Sequence, residues 1–253
     1  LRYARPEVLA AFAVLIQADD RLLAAEVVQR LIIHIGNVNP EVIDPIIQRM
    51  LVSDSAETRE AGGAIAAFAA LEWGRSDLMR QAMSGDVQVR RGIARTTVGL
   101  VARTSNNRLA TETLVQLMND DADDVRKEAS MVAARLCHHP LRPFVQLLTA
   151  LIDSPSYTHA STQLLLTLGY APDKVDDLVL KASRRFLDVF GSDAADIRTG
   201  AAGDAHYVNG LVVRGLAQCQ DRGHRAALLD VLDRLLELNV YGINTAITEA
   251  ERI

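Results

Sequence analysis

Positive charge gathers at Arg90, Arg91, Arg95, Arg103 and Arg108. Arg91 and Arg95 stand one helical turn apart on one face, a spacing suited to a phosphate or an acidic peptide. The stretch that follows carries Asp120, Asp121, Asp123 and Asp124, which can balance that charge within the chain. Cys137-His138-His139 offers a thiolate and two imidazoles, ligand types that suit zinc. Three adjacent residues at a helix end point in divergent directions, however, and no second cluster supplies a fourth ligand. No metal or cofactor is expected. Between residues 200 and 210, Asp204, His206, Tyr207 and Asn209 lie among Gly200, Gly203 and Gly210. Each glycine costs a helix about 1 kcal/mol relative to Ala, so the segment reads either as an edge helix or as a pocket using His206 and Asn209. The chain has no Gly-rich phosphate loop, His-Glu-x-x-His helix or nucleophile elbow, so no catalytic residue and no enzymatic activity are expected.

The elements that carry these residues are helical. Hydrophobic residues make up 49% of 253 positions and aromatics only 4%, a supply of small and medium aliphatics that suits packed helices better than sheets. The formal charge of −5 argues against general attraction to nucleic acid. Two cysteines, Cys137 and Cys219, form no disulfide framework, and a reducing cytoplasm is the expected location. The longest apolar run, Ala61 to Leu71, is far short of the roughly twenty residues that span a bilayer, so no membrane association is expected. A start at Leu1 in place of Met suggests part of a longer protein.

A hexamer organises the chain. Asp54-Ser55-Ala56-Glu57-Thr58-Arg59 recurs with variations ending at Arg90, Arg126, His159 and Arg198, at spacings of 31, 36, 33 and 39 residues. Such periods belong to helical repeat arrays. The first positions, Asp54, Gly85, Asp121, Ser154 and Asp193, are residue types favoured at N-caps. Glu57, Gln88, Asp124 and Asp196 stand three places later as capping-box partners, with Tyr157 the exception. Each hexamer therefore predicts the start of a helix. The stretches that follow, such as Ala61 to Leu71 and Gly92 to Ala102, are small and aliphatic, and allow close approach between inner helices. Amphipathic partners lie between them, with stripes such as Val42, Ile43, Ile46, Ile47, Met50 and Leu51. With an earlier pair near residues 6–35, about seven helix pairs are expected in one domain over 1–253. Residues 221–253 supply C-terminal capping helices.

A second helix opening with Asp-x-x-x-Val-Arg and continuing in small residues resembles the HEAT repeat family, including its phycobilisome-lyase-type members. Asp121 to Ala134 is the best match within the chain, and the likeness extends over most of Asp54 to Leu216. It implies an all-α, right-handed α-α superhelix, a HEAT-like solenoid. It also implies a structural ladder joining Asp54, Asp121 and Asp193 to Arg59, Arg90, Arg126 and Arg198, interrupted by Ser154 and His159.

The expected function is non-catalytic: a scaffold or recognition module that grips a protein along its inner helices. Polar positions just after the hexamer and one turn later mark that surface: Glu60, Arg91, Arg95, Lys127 and Thr199. One alternative is a nucleic-acid binder, including the DNA glycosylases that HEAT-like solenoids contain. Those enzymes need a basic concave face and aromatic residues, whereas this chain is acidic and has one Trp, Trp73. Another is a regulatory domain of a larger protein.

Overall fold

A computed structural model describes residues 40–173, 175–192 and 205–252, with the side chains of 40–43 and 205 excepted. The protein is all-α, with no strand among the described residues. Those residues divide into two compact units at Ala129/Ser130.

The first unit contains α1 (Pro40–Leu51), α2 (Ala56–Trp73), α3 (Ser76–Met83), α4 (Val87–Leu100), α5 (Asn107–Leu117) and α6 (Asp123–Ser130, at the boundary). Pro40 opens α1, where its missing amide hydrogen is harmless. Helix α2 is buried around most of its circumference, with Gly62 to Ala67 and Ala69 to Leu71 enclosed by α1, α3 and α4. Its small residues do what their type predicts. A Cβ on Gly63 would lie 2.1 Å from the Val89 carbonyl oxygen, and one on Gly92 would lie 2.0 Å from that of Glu60. Only glycine permits α2 and α4 to cross this closely. Asp44 of α1 receives a two-pronged bond from Arg75, and Gln48 of α1 pairs with Gln81 of α3.

The starts of α2 and α4 depart from the expected register by one residue, and that of α9, with Ser156 rather than Ser154 at its N-cap, by two. Ser55, not Asp54, caps α2 by accepting from the Thr58 amide at 3.2 Å, and Asp86, not Gly85, caps α4 by accepting from Val89 at 3.1 Å. Gly85 has no side-chain oxygen to offer, whereas Asp86 does. Glu57 consequently bonds to the Ser55 hydroxyl rather than closing a box three residues along.

The second unit contains α7 (Val132–Arg135), a 3₁₀ turn (Arg142–Phe144), α8 (Val145–Asp153), α9 (Tyr157–Tyr170), α10 (Asp176–Phe190), α11 (Ala205–Gln218), α12 (Arg222–Glu237) and α13 (Ile243–Ala250). Helices two places apart pack together in two series: α7, α9, α11 and α13, and α8, α10 and α12. Tyr157, the exception at its hexamer position, turns inward, fully buried, and its hydroxyl donates to the Ala182 carbonyl at 3.3 Å. Ser154 is buried and donates to Leu151, while the Ser156 amide donates to it.

Candidate partner-binding surface

Three arginines at the hexamer ends share one local geometry in the first unit. Arg59 donates to the carbonyls of Ser53 and Asp54 at 2.7 and 2.9 Å, Arg90 to Gly85 at 2.8 Å, and Arg126 to Asp120 and Asp121 at 2.7 and 2.9 Å. Each therefore ties down the turn that precedes its own helix. Two of them also reach the next turn: Arg59 donates to Asp86 at 2.5 Å, and Arg90 donates to Asp120 at 2.7 and 3.0 Å and to Asp121 at 2.8 Å. The carboxylates in these rungs are thus Asp86, Asp120 and Asp121, and Asp54 contributes its carbonyl. Arg126 also holds Asp123 within its own turn. Burial pushes the Asp120 carboxyl up, but Arg90, the Ala122 amide and the Asp121 side chain together hold it below its usual range. Arg90 in turn is held more firmly protonated by its bond to Asp120.

One turn further along the helices lies a second set of charges. Arg95 of α4 meets Glu60 of α2 at 2.6 Å and Glu128 of α6 at 2.9 Å, and Arg91 lies 3.8 and 3.6 Å from the same carboxylates. Two cations and two anions thus cross the alternate helices α2, α4 and α6 as a neutral network. Arg95 is 54% exposed and Glu60 and Glu128 are 19% and 24% exposed, so it borders solvent along its length. The Glu128 bond, followed by Glu60, keeps Arg95 above its ordinary pKa.

Of the expected surface residues, Glu60, Arg91 and Arg95 come together, joined by Glu128, while the exposed Lys127 is not among the four. Position counting from the hexamer selected Lys127 over its neighbour. An acidic partner for the adjacent arginines was the signal that could have found Glu128. Arg108 pairs locally with Glu112 at 2.7 Å, and Arg103 is exposed. Trp73 packs edge-on against Phe68.

In the second unit, Asn209 is buried and its side-chain amide donates to the Tyr241 carbonyl at 2.8 Å. Its carbonyl Oδ1 is enclosed without a partner. His206 is exposed against the Tyr207 ring at 3.7 Å. These two therefore do not line a common pocket: one faces solvent and the other ties α11 to the turn before α13. His138 packs on Tyr170, which Arg214 also approaches. Among the described residues, no group of three His, Cys, Asp or Glu is placed to hold a metal. No helix among them is long and apolar enough to cross a membrane. Thr199, Asp193 and Arg198 lie outside the described residues.

No protein-family model, characterised protein or solved structure matches this chain.

Proposed function

We propose that the chain is a HEAT-like solenoid that works as a non-catalytic scaffold or recognition module, gripping a protein partner along its inner-helix surface. The observation that carries this reading is that separations of 30 to 34 residues recur among its long-range hydrogen bonds. In the first unit, Arg90–Asp120, Arg75–Asp44, Gln48–Gln81, Arg95–Glu128 and Thr104–Leu71 join residues 30, 31, 33, 33 and 33 positions apart. In the second, Leu141–Asp173, Asn209–Tyr241 and Thr167–Ala133 join residues 32, 32 and 34 apart. Contact between corresponding positions of successive units is how a helical repeat array is held together. Such arrays act through extended surfaces rather than through one deep pocket.

The charge arrangement favours a protein over nucleic acid. The arginines that suggested a phosphate site are matched one for one by Glu60 and Glu128, and the chain carries −5 overall. A nucleic-acid binder needs uncompensated cations along its contact face. Cross-linking the full chain to its neighbours in its native cells, purifying it with and without nuclease, and identifying what is attached tests this reading. A nuclease-resistant protein partner is expected. Recovery of nucleic acid and no protein would refute it.

A further inference from the structure

We draw no further inference here: the strongest candidate, the groove of about 430 Å³ between α10 and α12, gathers Asp188, Asp230, Asp233 and Glu237 around Arg184 and Arg234, and nothing else in the structure points to a ligand for that acidic cluster.

Discussion

Gly63 and Gly92 show how much a missing methyl group can decide. Each faces a backbone oxygen near 2 Å from where its Cβ would be, so Ala at either position must push α2 and α4 apart. Overpacking of this kind costs about 1–3 kcal/mol, more than the roughly 1 kcal/mol that Ala gains in helix propensity. Urea denaturation of Gly63→Ala should therefore show a net loss of up to about 2 kcal/mol, whereas Gly99→Ala, with open space around it, should be neutral or slightly stabilising. The run of small residues made close packing legible in the sequence. Which glycines met backbone was not, because that depends on the crossing point. Thr58 and Thr97 were equally silent: both are fully buried, and their hydroxyls have no partner. Thr58→Val and Thr97→Val are expected to raise stability by about 1 kcal/mol each in the same assay, since an enclosed hydroxyl without a partner carries a desolvation cost. A loss of similar size would contradict this account of the two sites.

Helices are joined by side chains whose worth depends on their burial. Arg90 and Asp120 are 17% and 8% exposed, so Arg90→Ala leaves a nearly buried carboxylate without its main partner. The expected loss is about 3 kcal/mol. Arg108→Ala, at an exposed pair within one helix, should leave the unfolding midpoint unchanged. The recurring hexamer made the starts of α2 and α4 legible to within a residue and that of α9 to within two, and it flagged Arg59, Arg90 and Arg126. It did not indicate Asp86, Asp120 or Glu128 as partners, because those contacts depend on how successive helices are rotated.

The start of α12 carries a pH-dependent tie of another kind. His224 approaches Asp177 of α10 at 2.6 Å and Asp221 at 3.1 Å, one through each ring nitrogen. Only the imidazolium can donate to both, and the two carboxylates, Asp177 first, raise its pKa. A raised pKa in the folded state stabilises fully below the unfolded value near 6.5 and is lost as pH rises through the folded value. Melting temperature should accordingly fall as pH rises above 6.5 by more in the parent protein than in His224→Gln. Parallel curves would show that the tie contributes nothing to stability.

Across the whole molecule, bonds between residues 30 to 34 positions apart recur in each unit, and helices two places apart along the chain pack together in the second. The all-helical class was legible from composition and periodicity, because both report local preferences. The surface was less so, since Glu60, Arg91 and Arg95 proved to be engaged with one another and with Glu128. Their mutual neutralisation provides a direct test of the claim that the inner-helix surface grips a protein. Exchanging the charges in one quadruple variant, Glu60→Arg, Arg91→Glu, Arg95→Glu and Glu128→Arg, keeps two cations facing two anions but inverts the pattern presented to solvent. Calorimetric titration of the cross-linked partner against parent and variant, with unfolding curves to establish that both are folded, then isolates the surface from the fold. The account predicts at least a tenfold loss of affinity at little change in stability; an unchanged affinity in the folded variant would contradict it.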